Sequence, residues 1–321
     1  MLRLFSQINI ASLLLFPGLI CFYVFLHNTF HEGLYTFEIA SEFSLGVWGL
    51  VEIGMQTSIV ANSLLILLNA ALLNWVFNKL NFYEQNSLLP GFIYVILLTN
   101  TREFNVFDGA LIFHFLLIVA LHVTVQITFN TQYLEPMFNL GFLIGVASTF
   151  FPFLYFAFPL FYLLTLSLKS YKIREMATYF GGWLIPQLFV LFFLYYYKLF
   201  TIEYFYDCLF LTNTIPLNYF IDVILLGVIT VVILLAIRPS VTNISIHLKK
   251  FINALIVLTL ISAVCAYYCY FTMDEIALFQ AFIVPVSFLF AVILLRNPKA
   301  FIPLVSFYSA LIFSFLKFFF T

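Results

Sequence analysis

Three ionisable residues lie inside apolar segments of this chain, and they are its first candidates for chemistry. Asp222 lies about one turn inside one apolar segment, and His114 and His122 lie two turns apart in another. An ionisable group within a membrane span is a functional candidate by default, although the position of Asp222 near the end of its segment weakens that prediction. No third ligand stands at metal spacing beside the histidines, so the pattern favours satisfied buried side chains over a metal site.

Composition places the chain in a membrane. Of its 321 residues, 64% are hydrophobic and 8% are charged, so the chain cannot bury its apolar surface in a water-soluble core. The apolar runs are long and continuous, which excludes the alternating pattern of an outer-membrane barrel. The net charge of -1 leaves no basic face for nucleic acid. We therefore predict an all-α, polytopic transmembrane bundle in which residues 1–321 form one integral membrane domain.

About eleven segments, with a range of roughly 10 to 12, are predicted to be spans. They are residues 8–26, 54–78, 86–100, 109–127, 136–150, 151–168, 175–198, 217–237, 250–271, 276–295 and 299–319. Segments 136–150 and 151–168 are short, and Pro152 and Pro159 remove backbone donors there, which predicts broken helices across 136–168. Broken helices at membrane depth need cover from protein or a wet cavity, so we expect this region inside the bundle.

The distribution of charge predicts the orientation of the chain. With the amino terminus in the cytoplasm, ten of the 13 Lys and Arg residues fall on the cytoplasmic side, as is usual for membrane proteins. These ten are Arg3, Lys79, Lys169, Lys172, Arg174, Arg238, Lys249, Lys250, Arg296 and Lys299. Most acidic residues fall on the opposite side, so any polar working surface is predicted to be the outer one. The spans within 217–319 carry few charges and are predicted to be scaffold.

The first outer loop, residues 27–53, is the longest and carries several carboxylates. Its charged positions include Glu38, Glu42 and Glu52. Six small or apolar residues within it stand at helix-like spacing, namely Phe37, Ala40, Ser41, Ser44, Leu45 and Trp48. This pattern predicts a helix that lies in the membrane interface, where it could form one wall of a site between membrane and water.

A second outer loop carries Arg102, Glu103 and Asp108 in the sequence NTREFNVFDG. A local ion pair between Arg102 and one of the two acids is the simpler interpretation. The alternative is that Arg102 binds an anionic lipid headgroup, because a guanidinium matches the geometry of a phosphate. Asp108 is therefore a candidate polar-site residue together with His114 and Asp222.

Polar and small residues within the apolar segments indicate contacts between helices. Asn69, Asn74 and Asn78 are uncommon in an apolar helix, and we expect them to bond to neighbouring helices, with a substrate contact as the alternative. Gly141 and Gly145 form a G-x-x-x-G pair, which favours close packing of another helix backbone.

Two runs of the chain carry a resemblance to known membrane proteins. An uncharacterised multi-pass inner-membrane family of the Bacteroidota resembles it over about residues 60–195, through LLNAALLNWVFNKLNFYEQNSLLPGFIYVILLTN and FNLGFLIGVASTFFPFLYFAFPLFYLLTLSLKSYKIREMATYFGGWLIP. The order of elements is also similar to the GT-C class of membrane glycosyltransferases, which use polyprenyl-phosphate sugars. That class has a long first outer loop with interfacial helices, then a small-residue helix, a proline-containing pass and a basic inner loop.

The GT-C resemblance implies a core at about residues 8–198 and a place in the bacterial inner membrane. It further implies a catalytic carboxylate in the first outer loop, which acts as general base on the acceptor or holds a divalent cation. Glu32 occupies the matching place, with Glu38 and Glu42 as reserves. The lipid phosphate that leaves would then need positive charge from Arg102 or Lys198.

The chain departs from the GT-C pattern because its outer loops contain no Asp-Asp or Asp-x-Asp motif. Three functions therefore stay open. The first is an enzyme that uses a polyprenyl-phosphate-linked sugar. The second is a non-catalytic subunit that anchors other envelope proteins of a secretion or motility assembly, which would use the large excess of Phe, 44 residues, as a packing surface. The third is a transporter.

Overall fold

The computed structural model describes residues 5, 10–30, 42–44, 50–52, 55–83, 85–100, 109–129, 134–150, 158–159, 161–162, 165–166, 168, 173–196, 219–242, 244–272 and 282–320. Within these ranges the chain forms ten helices and one antiparallel hairpin. The helices are α1 (Ile10–Phe30), α2 (Met55–Lys79), α3 (Leu89–Thr99), α4 (Gly109–Phe129), α5 (Leu134–Phe150), α6 (Ile173–Tyr196), α7 (Tyr219–Ser240), α8 (Ile246–Thr272), α9 (Ile283–Arg296) and α10 (Phe301–Phe320). The strands are β1 (Glu42–Ser44) and β2 (Leu50–Glu52).

The helices follow the predicted apolar segments in order. Ten segments correspond to α1 through α10, and the described residues of the remaining segment, 151–168, are helical. Within the described ranges, four stretches are long and apolar enough to cross a membrane, namely Ile59–Lys79, Leu111–Phe129, Ile173–Phe193 and Ile246–Ala263. Shorter apolar helices accompany them. The predicted α-helical membrane protein is thus confirmed, while the number of spans and the GT-C-like arrangement stay predictions.

The first outer loop differs from its prediction. We expected an interfacial helix, but Glu42–Ser44 and Leu50–Glu52 pair as antiparallel strands. The sequence between them contains Gly46 and Gly49, residues that favour a turn between strands over a helix. Pairing between the strands satisfies backbone groups that a helix would satisfy internally. The prediction of a helix over 42–44 was therefore wrong.

The centre of the described bundle consists of α3 and α9. Every residue of Leu89–Thr99 and of 283–295 is buried. The two helices pack against each other, and α1, α2, α4, α7, α8 and α10 pack around them. The carboxyl-terminal part of the chain therefore supplies one of the two central helices.

Aromatic side chains fill the space beside α9. The ring of Phe288 lies 5.0 Å from that of Phe77, 5.8 Å from Phe82 and 5.9 Å from Phe251. Offset and edge-on ring pairs contribute about 0.5–1.5 kcal/mol each beyond the area that they bury. Because lipid provides no hydrophobic push between helices, such packing contacts are what hold this part of the bundle together.

Helices α5 and α6 cross closely and run parallel. A Cβ atom on Gly141 would meet the carbonyl oxygen of Tyr179, and one on Gly145 would lie 2.7 Å from the carbonyl oxygen of Trp183. The Gln187 amide donates to the Gly145 carbonyl at 2.9 Å. The residue numbers of the contacting positions therefore increase together along both helices, which shows that the helices are parallel. The predicted role of the G-x-x-x-G pair in close helix packing is confirmed.

Parallel neighbours need a connection that crosses back, and the described residues of 151–168 provide part of one. The Phe158 ring lies 4.7 Å from Trp183, whereas the Tyr162 ring lies 5.5 Å from Tyr179. The Tyr179 hydroxyl also donates to the Phe158 carbonyl at 2.9 Å. Residue numbers increase from Phe158 to Tyr162 while those of their partners in α6 decrease from Trp183 to Tyr179. The segment therefore runs antiparallel to α6. The predicted break at Pro152 lies outside the described residues.

One end of the bundle is basic. Arg296, at the end of α9, donates from Nε and Nη2 to the Phe82 carbonyl at 3.3 and 3.2 Å. The Asn297 amide donates to the Ser240 hydroxyl at the end of α7, at 3.1 Å. These bonds bring together the end of α7, the end of α9 and the turn after α2. The neighbouring basic residues are Lys79, Arg238, Lys249, Lys250 and Lys299.

The buried start of α3 is capped by side chains from outside the helix. The Leu89 N–H donates to the Ser87 hydroxyl at 3.1 Å, and the Gly91 N–H donates to Asn74 Oδ1 of α2 at 2.6 Å. Pro90, between them, has no N–H to satisfy. The helix can therefore begin inside the protein without unpaired first-turn donors at these positions. The prediction that asparagines of α2 bond to a neighbouring helix is confirmed.

Candidate functional site

Helix α3 ends inside the bundle. Its 11 residues span about 16 Å, whereas a bilayer core is about 30 Å thick. Thr99 and the following Asn100 are both fully buried. Non-helical backbone at membrane depth is tolerated only where protein or a water-filled cavity covers it. The described part of the helix region thus ends in the interior of the protein, two residues before Arg102 in the sequence.

Polar side chains from three helices meet at this end of α3. The Tyr23 hydroxyl of α1 lies 2.6 Å from the Ser314 hydroxyl of α10 and also bonds to Thr99. The Asn100 amide donates to the Ala310 carbonyl at 3.4 Å. Asn100 Oδ1 is buried and has no hydrogen-bond partner among the described residues. The cluster thus keeps a free acceptor beside the point where the Arg102 loop begins.

The hairpin of the first outer loop brings two carboxylates into register. Glu42 pairs with Glu52, Phe43 with Val51 and Ser44 with Leu50. The Phe5 carbonyl accepts from the Leu88 N–H at 2.9 Å, which places the start of α1 at the basic end, so the loop that joins α1 to α2 lies at the opposite end. Directly opposed positions in an antiparallel pair have Cβ atoms about 4.5–5.5 Å apart, and like charges there are destabilising.

A small apolar cavity of about 20 Å³ lies between α4, α5 and the returning segment. Its lining includes Leu117 of α4, Ile144 and Ala147 of α5, and Phe161. Ala147 is in the last turn of α5, five positions before Pro152 in the sequence. The cavity is about the size of one water molecule, and its lining is apolar.

His114 belongs to a buried polar cluster in the bundle. Its Nδ1 atom lies 2.9 Å from the Tyr94 hydroxyl of α3. The Asn69 amide of α2 donates to that hydroxyl at 3.4 Å and to the Leu111 carbonyl at 3.0 Å. The cluster ties α2, α3 and α4 together through the Nδ1 atom of His114, and it is fully buried.

His122 lies on another face of α4. Its ring is 4.5 Å from that of Trp75, and its Nε2 atom lies 3.2 Å from the Gln126 amide. The Lys79 ammonium stands 5.1 Å from the centre of the same Trp75 ring. This is a half-buried aromatic and cation-π contact, and it shares no partner with the His114 cluster.

Comparison of the chain with protein-family models, with curated proteins and with solved structures returned no significant match. The resemblances inferred from the sequence therefore stay proposals.

Two of the residues predicted for the outer site lie in described helices or strands. Glu42 begins β1, and Asp222 is the fourth residue of α7. The helix dipole favours an acidic residue in the first turn of a helix, so the position of Asp222 in the sequence has a structural explanation beside the predicted chemical one. The remaining predicted residues, Glu32, Glu38, Arg102, Asp108 and Lys198, lie outside the described residues.

The sequence pattern did not indicate Glu52 as a candidate site residue. It appeared only as one charge of the loop, because no acidic pair is adjacent in the sequence and its partner Glu42 is ten positions away. Alternation of polar and apolar residues in Glu42–Leu45, followed by Gly46 and Gly49, is the signal that could have predicted the pairing. Tyr94 carried no comparable signal, since a lone tyrosine in an apolar run does not indicate its neighbours.

We expect Tyr94→Phe to lower the free energy of unfolding by about 1 kcal/mol, because it removes one buried hydroxyl from the hydrogen bonds of His114 and Asn69. Thermal unfolding in detergent measures this change. Tyr308→Phe is the matched control, since the hydroxyl of this α10 residue makes no hydrogen bond with a described residue. Equal melting temperatures for the two variants would show that the cluster contributes nothing to stability.

Proposed function

We propose that the chain is a GT-C-like glycosyltransferase, or a related enzyme, that uses a polyprenyl-phosphate-linked sugar at the periplasmic face. The observation that carries the proposal is the register of the outer hairpin, which opposes Glu42 and Glu52. We propose this pair in place of the Asp-Asp or Asp-x-Asp motif that the linear sequence lacks. Like charges at opposed positions give a chain no stability, so a chemical role is a reason for acids at both positions.

We propose that the carboxylate pair acts on the hydroxyl group of the molecule that accepts the sugar. One carboxylate takes the proton of the acceptor hydroxyl as the hydroxyl oxygen attacks the anomeric carbon of the sugar. The bond between that carbon and the phosphate oxygen breaks, and the lipid phosphate leaves with the electron pair. Two carboxylates also fit the oxygen ligands that a divalent cation prefers, so the pair could hold such an ion and relieve its own repulsion.

We propose that the lipid-linked sugar donor binds at the end of α3. The buried end of this helix at Asn100 leads directly into the sequence of Arg102, whose guanidinium suits a phosphate. Lys198, in the sequence after α6, is the second cation proposed for the same phosphate.

The test measures a lipid-linked sugar in membranes of a deletion strain. We expect this donor to accumulate in the deletion strain and to disappear when the wild-type chain is restored. Glu42→Gln and Glu52→Gln should each lower transfer by about 10²–10⁴-fold, the usual contribution of a general base. Glu135→Gln is the control, because it makes the same change on an exposed residue of α5. An unchanged lipid profile in the deletion strain, or full restoration by both Gln variants, would rule out the proposed chemistry.

A non-catalytic membrane subunit is the second candidate, and the exposed face of α6 favours it. Phe189, Phe192 and Tyr195 are 72%, 69% and 80% exposed, so a partner helix could pack where lipid otherwise lies. Purification in a mild detergent distinguishes the two candidates. A stoichiometric partner protein favours the subunit, whereas a monodisperse chain with bound polyprenyl lipid favours the enzyme. Transport ranks third, and its one supporting feature is the ionisable cluster at His114.

A further inference from the structure

A cavity with a cationic rim lies at the basic end of the bundle, between α7 and α8. Its volume is about 240 Å³, and four of its lining side chains are polar or charged, namely Arg238, Thr242, Lys249 and Asn253. The remainder of the lining is aliphatic, with Ile237, Val241, Ile252 and Ile256. No residue proposed for the reaction at the outer face contributes to it.

The turn between the two helices brings the cations together. The Val241 N–H donates to the Arg238 carbonyl at 3.2 Å, and the Thr242 hydroxyl donates to the Pro239 carbonyl at 3.2 Å. The Lys249 N–H then donates to the Ser245 carbonyl at 3.0 Å as α8 begins. The last turn of α7, Val241 and Thr242 after it, and the first turns of α8 all contribute to the cavity lining. The amino terminus of α8 adds the positive end of its helix dipole to the same region.

The two cations are free to bind a ligand. Neither Arg238 nor Lys249 forms a salt bridge with a carboxylate in the part of the chain that the structure describes. By contrast, Arg296 at the same end is engaged with the Phe82 carbonyl. Two uncompensated positive charges beside a cavity repel each other, and an anion between them removes that cost.

We propose that this cavity binds the phosphate group of an anionic phospholipid. A guanidinium and an ammonium on one rim match a phosphate, and Thr242 and Asn253 offer further donors to its oxygens or to the rest of the headgroup. The aliphatic wall of Ile252 and Ile256 suits the start of an acyl chain. Basic pockets between transmembrane helices bind anionic headgroups in this way. A soluble phosphate would use the cationic rim but leave the aliphatic wall exposed.

The experiment titrates the purified full chain in a neutral detergent with short-chain phosphatidylglycerol and follows thermal unfolding. We expect phosphatidylglycerol to raise the melting temperature, and Arg238→Gln/Lys249→Gln to weaken its apparent Kd at least tenfold. Lys250→Gln is the matched control, since it removes the same charge one position away, from an exposed side chain outside the cavity lining. The charge-conserving pair Arg238→Lys/Lys249→Arg should bind within a few-fold of wild type, which separates loss of charge from damage to the fold.

Two further ligands distinguish the source of the phosphate. Phosphatidylcholine, which has the same chains and no net charge, should bind at least tenfold more weakly than phosphatidylglycerol. Inorganic phosphate should also bind more weakly, and if it matches phosphatidylglycerol, the assignment to a lipid is overturned. Equal binding of phosphatidylglycerol by wild type and by Arg238→Gln/Lys249→Gln would overturn the site itself.

Discussion

Gly182→Ala is expected to prevent α5 and α6 from packing, at a cost of about 3 kcal/mol, the upper part of the range for overpacking. A Cβ atom on Gly182 would collide with the carbonyl oxygen of Phe138 and lie 3.0 Å from the Phe142 nitrogen. Both obstacles are backbone atoms of α5, which cannot rotate away as a side chain can. Relief therefore requires the two helices to separate, and the bond from Gln187 to the Gly145 carbonyl is lost with them. Unfolding in detergent with a denaturant series measures the change.

The neighbouring glycine provides the control. Gly181 has no heavy atom within 4 Å of an added Cβ, so Gly181→Ala meets no obstacle. Because alanine has a higher helix propensity than glycine, this variant should be more stable than wild type by up to about 1 kcal/mol. The two variants differ by one position and add the same methyl group. Equal stability of both would mean that α5 and α6 are not in backbone contact, and the parallel arrangement of these helices would have to be abandoned.

The helices were largely predictable because their signal is local. Length and apolarity predicted 109–127 as a span, and α4 occupies Gly109–Phe129. Where hydropathy did not predict the end of a helix, the chemistry of particular residues explains it. The segment predicted from 86 begins as a helix only at Leu89, because Pro90 is tolerated in the first turn and not further inside.

Partners in space were less predictable than elements. The G-x-x-x-G pair of Gly141 and Gly145 predicted a close backbone neighbour, but nothing local to it identified α6 or the third glycine at Gly182. The same holds for α9, whose burial depends on helices from both ends of the chain. Helix periodicity carries little information in such a bundle, because lipid-facing and core-facing residues are both apolar.

The outer loop shows the opposite failure, in which a local pattern was misleading. Spacing of apolar residues from Phe37 to Trp48 favoured a helix, yet residues 42–44 pair with 50–52. Short runs match both the helical and the extended period, and a pairing partner ten positions away decides between them. The same pairing changes the candidate site, because it opposes Glu42 to Glu52, a relation that the linear sequence does not display.

Asn78→Ala is expected to destabilise the basic end of the bundle by about 2 kcal/mol or more, because it leaves two backbone groups without partners. The Asn78 amide donates to the Ser87 carbonyl at 3.1 Å, and its Oδ1 accepts from the Ser87 N–H at 2.9 Å. Ser87 is fully buried, so water does not readily replace either bond. The Ser87 hydroxyl in turn donates to the Phe5 carbonyl at 2.9 Å. Loss of the Asn78 bonds should therefore also release the amino-terminal segment.

Two measurements separate this local effect from general damage. Limited proteolysis should cut the amino terminus faster in Asn78→Ala than in wild type, while the melting temperature falls. Asn78→Asp keeps the acceptor for the Ser87 N–H and loses only the donor. Its melting temperature and cleavage rate should therefore lie between those of wild type and Asn78→Ala. Asn139→Ala, on the exposed face of α5, should leave both measurements unchanged. If Asn78→Ala lowers the melting temperature but does not change cleavage near Phe5, the amino terminus is held by other contacts and Ser87 does not anchor it.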